Sequence, residues 1–396
     1  MEKCKQYFRG SINGSLIRFF IAAYIVFVIF FTSLTILPMY VVNLGGTEFD
    51  SGLQTTLFFI AAVILRLYFG PMADNKGRKI PLLIGAFVFA TSGILFMFST
   101  EVWHLTLARI YQSIALATFL SSGSSLVADM APLKSRGTYI GIYRLIITLS
   151  ILSGPLMAVE VINSYDYNSW FFLTFLFGAL ALILILFIKA PAISPDKDLR
   201  FMHSIFLVLR NKYLWPIFGF IALTSISYGA TLTFASLYVG QINGVANPGI
   251  YFVYFGISGV IANLIAGYLS DKYGRALVVW PAAIILGLGL VVLAFAPFIT
   301  LAVIVSGLLT GFGWSGSIVA LVAWLVDRAD DKIRATALSI QESIIDSFIA
   351  LGSLLFGIIS AVVGMQSSFF ITGVIVVVVS AVLISFTKNQ FKQPAN

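Results

Sequence analysis

The chain has 396 residues, of which 59% are hydrophobic and 10% charged, with 36 Phe and a formal net charge of +8. Its mean hydropathy of +1.00 and its end-to-end repetition of long apolar runs exclude a water-soluble globule. The runs are continuous rather than alternating in period two, which also excludes a transmembrane barrel and leaves an all-α bundle of membrane-crossing helices.

The predicted elements begin after a basic head carrying Lys3, Lys5, Arg9 and Arg18, which also holds Cys4, the single cysteine, so no intrachain disulfide framework exists. The first apolar run starts near Ser15, is too long for a signal-peptide core and has no small-residue cleavage site after it. It reads as a retained first helix. Spans follow near 15–42, 50–73, 80–99, 103–127, 136–160 and 168–189. A second set lies near 212–240, 248–270, 276–296, 299–325, 334–362 and 367–387. Between them, Lys189 to Lys212 is the longest polar-rich stretch, with prolines and both signs of charge. The expected organisation is an N-terminal six-helix bundle (1–189), a cytoplasmic linker (190–212) and a C-terminal six-helix bundle (213–396).

Sorting the 24 Lys and Arg over these spans puts all but three in the head, the tail and the loops on one side. The opposite loops hold Glu48, Asp50, Glu101 and Asp166. Basic loops stay in the cytoplasm, so both termini are expected there, in the plasma or inner membrane of a prokaryotic cell. The net charge then reflects topology, not nucleic-acid binding.

One loop is unusually polar. "GPMADNKGRK", from Gly70 to Lys79, separates spans 2 and 3, and Gly70, Asp74, Gly77 and Arg78 reappear 197 residues later as Gly267, Asp271, Gly274 and Arg275. Asp129 and Arg136 flank the loop after span 4, and Asp327 and Arg334 repeat them 198 residues on. Two constellations at nearly one offset argue for a duplicated six-helix unit, a plan by which transporters build a central site open to either side in turn.

These residues resemble the major facilitator superfamily of secondary transporters. Gly70, Asp74, Gly77 and Arg78 look like its loop signature between helices 2 and 3. "RIYQS", Arg109 to Ser113, resembles its helix 4 motif, with serine where glycine is usual. "SILSGPLMA", Ser150 to Ala158, resembles the helix 5 antiporter motif of drug and metabolite exporters through Gly154 and Pro155, although Ser150 and Ala158 stand where glycines are expected. The resemblance implies the twelve-helix fold, alternating access by a monomer, and a latch in which Asp74 and Arg78 pair with the ends of spans 4 and 5 and the start of span 11. Here that means Asp129, Arg136 and the region of Arg334, with Asp271, Gly274, Arg275 and Asp327 as the second copy.

Five ionisable residues fall inside spans: Arg66, Arg109, Arg144, Glu342 and Asp346. A charge at membrane depth costs at least about 2.5 to 3.5 kcal/mol, so each needs a partner or a wet cavity. Arg144 and Glu342 occupy equivalent positions, 198 apart, about 12 Å inside their helices, and an ion pair between them is expected across the cavity. Asp346 lies one turn beyond Glu342 on the same face, with no basic residue on its own turn. Two such carboxylates repel in low dielectric, and taking up a proton relieves the repulsion. Asp346 and Glu342, with Arg109 and Arg144, are therefore the candidates for proton coupling, the more so because span 1 lacks the carboxylate common in drug antiporters. For Glu342 a purely structural pair with Arg144, for Arg109 a structural bond to backbone carbonyls, and for Arg66 a structural pairing across to span 11 stand beside that reading.

Spans 1, 4, 7 and 10 are implied to line the cavity. Candidate contacts there are Arg109, Gln112, Arg144, Tyr228, Thr231, Trp314 and Glu342, able to hold an amphipathic or anionic small molecule. No nucleotide-binding loop is present, and His104 and His203 lie too far apart to suggest a metal site, so no cofactor, no metal and no enzymatic activity are expected. The expected function is proton-coupled export of a drug or metabolite. A proton-coupled uptake symporter for an organic anion, sugar or amino acid is the alternative, and a non-transporting membrane sensor a weaker one.

Overall fold

The computed structural model describes residues 14–132, 136–190, 201–329 and 333–387, without the side chains at 71, 74, 75, 121, 136, 137, 201–204, 335 and 384–387. The first half comprises α1 (Gly14–Asn43), α2 (Glu48–Lys76), α3 (Lys79–Met97), α4 (Val102–Met130), α5 (Arg136–Ser164) and α6 (Tyr167–Leu186). The second begins with α7 (Trp215–Val239), α8 (Ile250–Tyr273), α9 (Arg275–Ala294) and α10 (Leu301–Arg328). A helical run, Arg334–Thr387, completes it. At 1.5 Å per residue that run would be about 80 Å long, far more than a bilayer crossing. Gly364, at φ 79°, breaks it into α11 (334–363) and α12 (365–387). The loop expected between spans 11 and 12 is thus reduced to one glycine. The predicted linker also contains structure, a short helix at Phe201–Arg210, while residues 191–200 lie outside the described ones.

Local chemistry sets the helix ends. Thr47 and Asp50 form a reciprocal capping box at the start of α2, and Asp166 accepts from the Ser169 N–H at 2.7 Å to cap α6. α2 stops at Gly77 (φ 91°) and α8 at Gly274 (φ 99°), a backbone region where a side chain would be strained. These are the two glycines paired by the repeat.

α1 and α7 are the most enclosed spans, 78% and 83% buried over their apolar cores against 33–59% for the others. They meet at the centre, and the halves also join through α2 on α11 and α5 on α8. This is the pattern of two pseudo-symmetric bundles facing each other. The bundle has a basic face, carrying the loop constellations, and an opposite acidic face. Small residues bring helix axes together. A Cβ on Gly229 of α7 would strike the Ile349 carbonyl of α11, and one on Gly352 would strike that of Ile226.

Candidate functional site

The buried charges converge where the halves meet. Arg66 lies ten residues before the end of α2 and Asp346 twelve residues after the start of α11, about 15 and 18 Å in from the basic face. This match in depth lets the Arg66 guanidinium donate to the Asp346 carboxylate across the interface, with only 13% and 6% of the side chains exposed. The partner missing from the Asp346 turn therefore comes from the other half of the molecule. A buried carboxylate stays ionised only with such a counter-charge; without one it takes up a proton.

Glu342, one turn nearer the basic face, is exposed, and so is Arg144 on α5. Glu342 lies within electrostatic reach of Asp346, Arg66 and Arg144. The ion pair expected between Arg144 and Glu342 is not among those formed by the described residues. The reason is topological: α5 packs on α8 and α11 on α2, so the two side chains sit on helices that do not pack closely on each other. Two adjacent acids on one helix face thus have different surroundings, one sealed in an ion pair and one with an exposed side chain.

Arg109 and Gln112 are expected at the cavity, but the structure buries both in the N-terminal half. Arg109 donates through Nη1 to Gln112 Oε1 and lies over the Phe58 ring, 3.8 Å from its centroid. Gln112 Nε2 donates to the hydroxyls of Ser33 on α1, at 3.1 Å, and Ser92 on α3, at 3.2 Å. Thr231 is likewise enclosed and bonds the Ser227 carbonyl within α7. In the opposite half, Tyr228 of α7 stacks on Trp314 of α10, with centroids 3.9 Å apart and an interplanar angle of 15°, and on Phe255 of α8 at 5.9 Å. Trp314 is half-buried and ends this aromatic column.

At the basic face, Arg78 Nε donates to Asp129 Oδ2 at 3.4 Å, and its repeat, Arg275 Nε, donates to Asp327 Oδ2 at 2.8 Å. Arg275 also binds Asp271 one turn back in α8. Arg334 donates to the Val326 carbonyl of α10. Each bond ties a loop to its own half. The side chains of Asp74 and Arg136 lie outside the described residues. Gly70 is helical with open space about it. Lys79, read from sequence as a topology charge, donates to the Leu186 carbonyl and, with Arg18 on Phe187, closes the end of α6.

The acidic face is closed by contacts that sequence reading missed. Asn247 Nδ2 donates to the Leu156 carbonyl at 3.1 Å and to Glu160 at 3.4 Å, Asn163 reaches the Ala246 carbonyl, and Thr56 that of Ala350. Gly357 of α11 packs on the Glu48 backbone. The antiporter-like motif belongs here: Gly154 rests on Val28 of α1, and Pro155 is the backbone against which Gly249 of α8 packs. An asparagine before proline at the end of a loop was the one signal available. Among the described residues, no group of His, Cys, Asp and Glu side chains is arranged to hold a metal ion.

Known proteins share this architecture. The Multidrug resistance protein MdtG of Rahnella sp. is 26% identical over 86% of this chain and 85% of its own length. MdtG of Citrobacter koseri is 27% identical over 86% of each. The solved nucleoside transporter NupG superposes with a TM-score of 0.78 at 17% identity, covering 96% of this chain and all of that one. A bacterial homologue of the human lysosomal transporter Spinster, solved inward-facing and unoccupied, gives 0.76 at 15% identity over 96% and 98%. The sequence profile of the Major Facilitator Superfamily matches residues 19–250 and 244–396, and the chain belongs to that superfamily.

Proposed function

We propose that the protein exports small amphipathic or anionic organic molecules, drugs or metabolites, in exchange for protons by alternating access. The relatives named for multidrug resistance support export, as does the seating of Gly154 and Pro155 at the closed acidic face. The basic face is the cytoplasmic one, by the positive-inside rule, so both termini are cytoplasmic and the membrane is a prokaryotic plasma or inner membrane. Residues 1–189 and 213–396 are the rocking units, joined by 190–212, and the monomer is the working form. Protons and one small-molecule substrate are its partners.

The observation that carries this reading is the Arg66–Asp346 pair, which spans the halves with Glu342 exposed one turn away. A proton on Asp346 cancels its half of the attraction and frees α11 from α2. Glu342, open to the basic face beside Arg144, exchanges that proton with the cytoplasm. Arg109 stays in the buried network in this state, and the Trp314–Tyr228 column offers an apolar surface for substrate.

The test is transport in vesicles with an imposed pH gradient. Asp346→Asn and Glu342→Gln should each depress proton-driven efflux while the protein still inserts. Wild-type rates in both variants, with and without the gradient, would sink the proposal. Direction is tested by growth inhibition and metabolite release in cells with and without the gene.

A further inference from the structure

We infer that α2 and α4 enclose a binding site for one compact monovalent anion, of halide or formate size, held by Arg109 and Gln54 beside Phe58. This goes beyond the transport reading and does not rest on it.

Arg109 is 1% exposed, and its guanidinium carbon lies 3.8 Å from the centroid of the Phe58 ring. A guanidinium directs all its N–H bonds into its own plane. Nη1 is taken by Gln112, whereas Nε and Nη2 have no partner. Those two nitrogens form one edge of the planar fork, with parallel N–H bonds, the edge that grips an anion bidentately. Gln54 is also 1% exposed, and both its amide oxygen and its amide nitrogen are without partners. It sits one turn from Phe58 on the same face of α2, the helix that packs on α4. Counting along the helices, Gln54 is about 9 Å and Arg109 about 10 Å from the acidic end. Two fully enclosed side chains with unused donors therefore occur at one depth on two touching helices.

Charge decides what fits between them. Among the described residues no carboxylate pairs with Arg109, and Gln112, Ser33 and Ser92 are neutral. The Phe58 face stabilises a cation only in part. Water would satisfy the N–H groups without cancelling the charge, whereas an anion does both. It must be small and singly charged, because both side chains are sealed from solvent and dehydrating a dianion costs far more. Chloride and a short carboxylate share this chemistry.

The experiment is thermal unfolding of the full-length protein in nanodiscs, titrated with sodium chloride, bromide or formate against gluconate at constant ionic strength. A saturable rise in Tm with a halide, absent with gluconate, is expected. A saturable rise with formate alone supports the site equally and makes a carboxylate its occupant. Arg109→Gln should abolish the rise. Gln54→Leu keeps the guanidinium and the volume and should weaken the apparent Kd about tenfold, by removing one charge-assisted hydrogen bond. If Arg109→Gln does not fold, Gln54→Leu carries the test. No saturable rise with any of the three anions, or an unchanged Kd in Gln54→Leu, overturns the proposal.

Discussion

The two halves carry the same device at the basic face and opposite charges at mid-depth. Arg78 binds Asp129 in one and Arg275 binds Asp327 in the other, after turns at Gly77 and Gly274 with φ of 91° and 99°. Deeper in, the N-terminal half holds Arg66, Arg109 and Arg144, whereas the repeat places Asn263, Gly307 and Glu342 at the equivalent positions. Asp346 answers to Thr148. A turn makes the same demand on both copies, so both keep it. Charges facing each other across a low-dielectric interface must instead differ in sign, and one half has become cationic where the other is anionic.

The largest effect should come from breaking that complementarity. Arg66→Met or Asp346→Leu alone leaves a buried charge without its partner and should cost on the order of 3–5 kcal/mol. The double variant should recover most of it, read as a double-mutant cycle of thermal unfolding in detergent. Additive losses would mean that the pair does not couple the halves.

Next in size is a wedge at the acidic face. A Cβ on Gly357 would lie 2.9 Å from the Glu48 carbonyl, so Gly357→Val should overpack α2 against α11 by about 1–3 kcal/mol. The molecule should then favour opening on that face. Thiol labelling of Thr56→Cys, in a Cys4→Ser background, should quicken; an unchanged rate would show that the face does not part there.

The repeated loops sharpen the comparison at a smaller scale. Arg275 engages Asp327 and Asp271, Arg78 engages Asp129, and these pairs are partly exposed and screened. Arg275→Gln and Arg78→Gln should each cost about 1 kcal/mol or less. A much larger fall in Tm at low salt in either variant would show that the repeated turn depends on its ion pair.

The smallest effect concerns Asp166 and its counterpart Gly364, again 198 apart. The Ser169 hydroxyl and backbone N–H hold the Asp166 carboxyl below the usual carboxylate range. A lowered carboxyl contributes its cap above its ordinary pKa and loses it as pH falls through the lowered one. The protection factor of the Ser169 amide, its exchange rate set against the intrinsic one, should therefore fall only in strong acid, or in Asp166→Ala, while the start of α12 should show no such dependence. Parallel behaviour of the two helix starts would remove the carboxylate from the explanation.

Much of this was legible beforehand. Apolar runs report the spans because lipid accepts no unpaired backbone, and the bias of Lys and Arg reports the face because charge resists crossing. The repeat exposed the duplicated half and, through it, the Arg78 and Arg275 constellations. Asp346 was found as a buried acid and Arg66 as a residue pairing across to span 11, but the two were not joined to each other, since 280 residues separate them. The contact of Arg144 with Glu342 was misjudged for a related reason. Equivalent positions in a repeat need not touch, and which helices cross the interface is a property of packing. Arg109 and Gln112 read as cavity residues from their motif, yet Ser33, Ser92 and Phe58 enclose them.

What the sequence by itself determined is the number of crossings, the division into two related halves and the sorting of basic and acidic loops. Each follows from the solvent in which a segment must sit, and a segment meets that solvent alone. Only the tertiary structure decided that Asp346 is sealed by Arg66, that Glu342 is left open beside Arg144, and that Arg109 and Gln54 share one enclosed layer. Those outcomes depend on which helix faces press together, and that is set by close contacts such as Gly229 on Ile349 and Gly357 on Glu48.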